Sequence, residues 1–153
     1  MKREIKFRAW DSGANIMIYS DNRTRKLYDV YYGFEMNEKG ELECRWEGDF
    51  TESQVADGGI LDNIMQFTGL HDKNGREIYD SDILKVTGED GESYVATVKW
   101  FGDEGYPAFD LEGIPAAWNY DANALATIFN SGAEACEVIG NIYEKNDCEG
   151  KQL

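Results

Sequence analysis

The sequence predicts a mostly β fold, in which antiparallel hairpins form a small barrel or sandwich and one short helix covers an opening. Three observations predict it. Apolar and polar residues alternate with a period of two in several short segments, the pattern of a strand with one dry face. Clusters of Gly, Asn and Asp separate these segments, and 16 glycines against 2 prolines favour turns over stiff linkers. Only one stretch combines helical spacing with capping residues at both ends. An α+β arrangement, with residues 60–65 helical, is the alternative. At 153 residues the chain has the length of one domain, placed at 1–146 with a frayed polar tail at 147–153. No fixed-period repeat and no firm internal boundary appears.

The elements follow in chain order. Ile5, Phe7 and Ala9 alternate with Lys6 and Arg8, which makes a half-dry strand. Asp11, Ser12 and Gly13 turn the chain into a return strand over 16–19. After a polar link at 20–26, a second hairpin runs through strand 27–36, a turn at 37–40 and a strand in which Leu42, Cys44 and Trp46 alternate with charged residues. Residues 48–59 show no period and several acids, the composition of a mobile loop. Residues 60–68 are apolar enough for a buried strand. A third hairpin spans 83–101 around the turn 88–91 and is rich in β-branched and aromatic residues. A strand near 109–111 follows. The helix is placed at 122–130, with Asp121 as its N-cap and the turn at 130–132 as its end. CEVIGNIY, 136–143, is the last strand.

The stretch FTGLHDKNGREIYDSDILKV, 67–86, concentrates the only histidine and several acids, and it supports three readings. As a calcium loop, Asp72 and Asn74 match the first and third ligand positions, but the sixth position holds Glu77 where glycine is required and the twelfth holds Ile83 where a bidentate glutamate belongs. As a catalytic pair, His71 and Asp72 are adjacent in an extended segment and point to opposite faces, which leaves His71 facing solvent. As a scaffold, Asn74 and Gly75 form a two-residue turn with positive φ at both positions, between arms carrying Leu70 and Ile78. Asp80, Ser81 and Asp82 make a second turn whose carboxylates accept backbone N–H groups. The scaffold reading accounts for most residues, so Gly69, Asp72, Asn74, Gly75, Asp80 and Asp82 are assigned to turns. No residue is assigned to catalysis, to a metal or to a cofactor.

Composition bounds the class of protein. With 42% hydrophobic and 13% aromatic residues, the chain has the apolar content of a folded domain rather than a disordered one. Cys44, Cys136 and Cys148 are odd in number and widely spaced, which fits buried thiols in a reducing compartment and neither a disulfide frame nor a zinc site. No apolar run approaches a membrane span and the first residues lack a signal-peptide core, so the expected compartment is the cytoplasm. The net charge is −15 and uneven. Residues 1–30 hold seven Lys and Arg against four acids, and residues 31–153 hold eight against twenty-six, a net of −18. Such a body repels nucleic acid and anionic membrane and attracts basic proteins or cations, and its own basic N-terminal segment, within the chain or from a neighbouring subunit. Lys6 and Arg8 are therefore interface candidates. Tyr31 and Tyr32 join them, because neighbours on a strand cannot share one face. The aromatic residues Phe7, Trp10, Trp46, Phe67, Trp100, Phe101, Trp118 and Phe129 are expected in the core.

Three segments, AWD near the N-terminus, MQFTGLHDKNGREIYDSDILKV in the middle and EVIGNIYE near the end, resemble the YopX-like proteins encoded by phages and prophages. Ser81 stands where a glycine is expected before Asp82 and Ile83, and His71 where a lysine is usual. The resemblance implies a phage or prophage origin, action in the bacterial cytoplasm and self-assembly into a homo-oligomer. It carries no activity and no catalytic residue. The leading expectation is thus a non-enzymatic interaction or assembly protein. The alternatives are an acidic DNA mimic that captures a basic host protein, and an enzyme acting on a small molecule.

Overall fold

The computed structural model describes residues 4–21, 26–27, 30–48, 58–61 and 63–144, with backbone alone at 26–27. The chain divides into two compact units, Met1–Gln66 and Phe67–Leu153. Among the described residues both are mostly β, every strand pair is antiparallel, and the one α-helix lies in the second. No helix among the described residues is long and apolar enough to cross a membrane.

In the first unit, β1 (Phe7–Asp11) lies between β2 (Ile16–Tyr19) and the first residues of β7 (Ile64–His71). A second sheet orders β3 (Lys26–Leu27), β4 (Val30–Met36), β5 (Leu42–Gly48) and β6 (Gly58–Leu61). Alternation places Ala9 and Ile18 on one inner face and Tyr32 and Cys44 on the other, and these four form one buried cluster with Ile64, Trp46 and Leu61 packed against it. Gly59 lies opposite Trp46 in the ladder, and a Cβ there would meet the indole Nε1 at 2.6 Å. The position admits only glycine without moving the tryptophan.

The strand expected over 27–36 is two, β3 and β4. The segment 60–68 is also two strands, β6 and β7, and no helical turn forms there because Ile60 and Leu61 pair with Arg45 and Cys44. Most of the loop expected at 48–59, residues 49–57, lies outside the described residues, as do 22–25 of the polar link.

The second unit contains the rest of β7, β8 (Glu77–Tyr79), β9 (Asp82–Thr87), β10 (Ser93–Trp100), β11 (Phe109–Glu112), α1 (Ala124–Ser131) and β12 (Ala135–Asn141). Four of these strands make a sheet in the order β11-β10-β9-β12. Its registers align Leu111 with Val98, Tyr94 with Val86, Ala96 with Leu84, and Val86 and Leu84 with Cys136 and Val138. All eight side chains are buried in one core with Leu125 and Ile128 of α1. Full burial of each large aliphatic contributes roughly 1.5–3 kcal/mol, and this face is why the sequence 93–100 alternates.

The helix begins later than Asp121 predicts. Its N-cap is Asn123, whose Oδ1 accepts Ala126 N–H at 2.8 Å, and Gly132 ends it at φ +71°. Asn123 holds that place because its Nδ2 also donates to Phe109 O at 2.9 Å and to Tyr106 Oη at 2.7 Å. Asp121 makes no such bond among the described residues.

Candidate functional site

The 67–86 stretch is a scaffold in atomic detail. Asp72 is buried, and its Oδ1 accepts N–H from Asn74 and Arg76, each at 2.9 Å, while Oδ2 accepts Val138 N–H from β12 at 2.9 Å. Burial alone would raise its pKa, but the three N–H groups and the Arg76 charge outweigh it and hold the carboxyl below its ordinary range. Lys73 N–H donates to Cys136 O at 3.0 Å. The hairpin tip thereby satisfies backbone groups on the outer side of β12, a strand at the edge of its sheet.

The tip is not the expected two-residue turn. Gly75 N–H closes on Asp72 O at 3.0 Å, Asp72 N–H donates to Arg76 O at 2.8 Å, and only Gly75, at φ +82°, is left-handed. Three residues therefore form the loop, and Asn74 needs no positive φ. Gly69, at φ +91°, lies where the register of β7 against β8 shifts between Phe67 and His71. Asp80 sits in the turn between β8 and β9, and buried Asp82 accepts Tyr79 N–H at 2.7 Å through Oδ2. His71 is exposed, with Phe67 against its ring edge at 5.5 Å. Among the described residues no three His, Cys, Asp or Glu gather as metal ligands. Asn141, which the sequence reading passed over, plays the same part as Asp72: buried beside Asp82 in the ladder, its Oδ1 accepts N–H from Tyr143 and Glu144.

The four interface candidates separate. Lys6 pairs with Glu4 at 2.9 Å. Arg8 is only 2% exposed, with Nε donating to Met65 Sδ at 3.4 Å. It is withdrawn from the surface, and the charge-pairing role expected of it is corrected on that ground. Tyr32 points inward, its hydroxyl donating to Asp11 Oδ2 at 2.8 Å, and burial first and this bond second raise its pKa. Tyr31 is 43% exposed. It borders a depression of about 290 Å³ with Gly33, Glu35, Arg45 and Glu47, where Arg45 Nε already donates to Glu35 at 2.8 Å. One arginine there faces two glutamates, Glu35 and Glu47.

A second concavity, wholly within the second unit, is different. It measures about 540 Å³ and is bordered by the 88–92 turn, the 117–120 segment and residues 133–134. Trp118 and Tyr120 form its aromatic side, and the Trp118 ring lies 4.7 Å from that of buried Tyr94. The Tyr120 hydroxyl donates to Glu134 Oε2 at 2.6 Å, so the 2.7 Å bond between the two tyrosine oxygens is donated by Tyr94. Burial first, and the bond to Glu134 second, raise the Tyr120 pKa. A phenol held protonated in this way is a donor and not a base. Glu89, Asp90, Glu92 and Glu134 line the cleft, and no Lys or Arg does. Trp118 was expected in the core, and it meets both core and cleft. Its segment has no period from which either face could be read, and that is why the cleft was missed.

The fold recurs in solved structures. The crystal structure of protein EF1440 from Enterococcus faecalis matches with a TM-score of 0.52 at 22% identity, over 96% of this chain and 99% of that one. The crystal structure of yopX from Bacillus subtilis matches with a TM-score of 0.49 at 20% identity, over 91% and 93% of the two chains. No curated protein matches the chain in sequence. The family described as YopX protein matches residues 6–147, nearly the whole of a chain whose hairpins and helix are now placed, and the chain belongs to that family.

Proposed function

We propose that this chain is a phage- or prophage-encoded binding protein of the bacterial cytoplasm, not an enzyme, and that its partner presents a basic surface. One observation carries the reading: within Phe67–Leu153, six Lys and Arg face seventeen Asp and Glu, a net of −11, while the buried carboxylates of Asp72 and Asp82 are taken up by backbone N–H groups. The acids that chemistry would need in a shielded place act as scaffold, and the remainder form a field that steers a cation toward the protein. Homo-oligomerisation is part of the proposal, supported by the family resemblance.

The test is capture of partners from nuclease-treated bacterial lysate by the tagged chain, washed at about 0.1 M and about 0.5 M salt, with the mass of the bait measured by light scattering. The expected result is a basic protein retained at the lower salt and released at the higher, because screening shortens the reach of exposed charges. Recovery of nothing but a multimer of the bait would overturn the basic partner.

A further inference from the structure

We infer that the cleft between the 88–92 turn, the 117–120 segment and residues 133–134 receives a lysine or arginine side chain projecting from a partner polypeptide. The inference rests on the binding role proposed above and adds a place and a chemistry to it.

Three observations point to this occupant. The lining pairs an aromatic wall, Trp118 and Tyr120, with four carboxylates and no basic residue; ring faces attract cations, and the attraction grows where water is partly excluded. Among the described residues, none of Glu89, Asp90, Glu92 and Glu134 forms an ion pair with Lys or Arg, so their charge is unanswered. The acids are not gathered as metal ligands either. A spread-out carboxylate rim beside aromatic side chains suits an organic cation with a long apolar stem better than a metal ion, whose oxygens must converge on one point.

The tyrosine chain fixes the deepest acid. Tyr94 donates to Tyr120 and Tyr120 to Glu134 Oε2, which orients the carboxylate and leaves Oε1 without a hydrogen bond among the described residues. That oxygen is the acceptor for the incoming N–H, and the exposed Glu89, Asp90 and Glu92 flank the entrance. The concavity, about 540 Å³, is open to solvent, as a site for the end of one side chain of a partner would be.

The test uses the full chain labelled with ¹⁵N and reads the four tryptophan indole N–H resonances, that of Trp118 assigned by its loss in Trp118→Phe. Capped hexapeptides carrying arginine, lysine or uncharged citrulline are titrated in. The arginine or lysine peptide should shift the Trp118 resonance with an affinity roughly tenfold above that of the citrulline peptide, the scale of one partly desolvated cation–π and ion-pair contact. Glu89→Gln with Glu92→Gln, at exposed positions, should weaken binding by a similar factor while the indole resonances of Trp10, Trp46 and Trp100 stay in place. Equal binding of the citrulline peptide, or shifts elsewhere with Trp118 unmoved, would overturn the assignment.

The two proposals fail separately. A basic protein captured equally well by the double variant would remove the cleft and leave the basic partner. Peptide binding at Trp118 with no basic protein captured from lysate would remove the proposed partner and leave the cleft as a cation site.

Discussion

Asp72 accepts N–H groups from Asn74, Arg76 and Val138, and its charge strengthens each bond. Replacing it with Ala leaves the buried Val138 N–H and two part-buried donors unpaired, at a cost of about 3 kcal/mol. The charge also has a pH signature. The folded pKa lies below the ordinary value, so the carboxylate's contribution is complete above about pH 4 and disappears as the pH falls through the folded pKa. Urea unfolding at several pH values should therefore give Asp72→Asn a shallower loss of stability below pH 4 than the native chain, and identical slopes would mean that other acids dominate. Ser81 carries a different strain, a φ of +75° while its N–H donates to Val98 O and its C=O accepts from Ile142. Ser81→Gly should raise stability by about 0.5–1 kcal/mol, since relief of the left-handed conformation exceeds the entropy glycine adds to the unfolded chain. A lower melting temperature would count against this. The mismatch at Ser81 was visible in the sequence as an absent glycine. The role of Asp72 was half visible, because a turn aspartate is a local pattern, whereas Val138 is 66 residues away and no spacing rule reaches that far.

At the scale of elements, one turn recurs. Gly40 N–H closes on Asn37 O, Gly75 on Asp72 O and Gly91 on Gly88 O, each at 3.0 Å, and all three glycines have φ between +80° and +87°. Each hairpin thus uses a turn followed by one left-handed residue, and this residue alone demands glycine. Gly75→Ala should cost about 1 kcal/mol. Asn74→Ala, which loses only an exposed 3.2 Å bond to Glu137, should cost less than about 0.5 kcal/mol. Equal losses in the two variants' urea midpoints would restore the two-residue turn. The strands themselves were legible wherever one face is buried, as in 93–100, because alternation is the imprint of that face. Boundaries were less so. Asp121 and Asn123 are both competent caps, and the choice between them is made by Phe109 and Tyr106 across the fold. The cleft was illegible for a related reason: Trp118, Tyr120 and Glu134 come from irregular or element-end positions, where side-chain direction follows no period.

The whole chain carries its acid excess unevenly by unit, net −4 over Met1–Gln66 and −11 over Phe67–Leu153, a contrast the sequence displays without saying where it begins. The division falls inside β7, between Gln66 and Phe67. No linker composition marks it, because the boundary lies within a strand: Ile64, Met65 and Gln66 pair with β1, and Phe67 and His71 with β8. Each unit therefore holds its own part of β7 against a strand of its own, and the two cores can be followed separately. Two thiols allow this to be measured. Cys44 is buried in the first core and Cys136 in the second, and burial, with the nearby charges of Asp11 and Asp72 respectively, pushes their pKa values up to about 12 and about 11. Each is therefore protonated and unreactive while its own core is closed. Pulse alkylation along a urea series, read peptide by peptide in the mass spectrometer, should show Cys44 becoming reactive as the first core opens and Cys136 as the second does. Labelling of either thiol before the chain begins to unfold would mean that its core does not shield it.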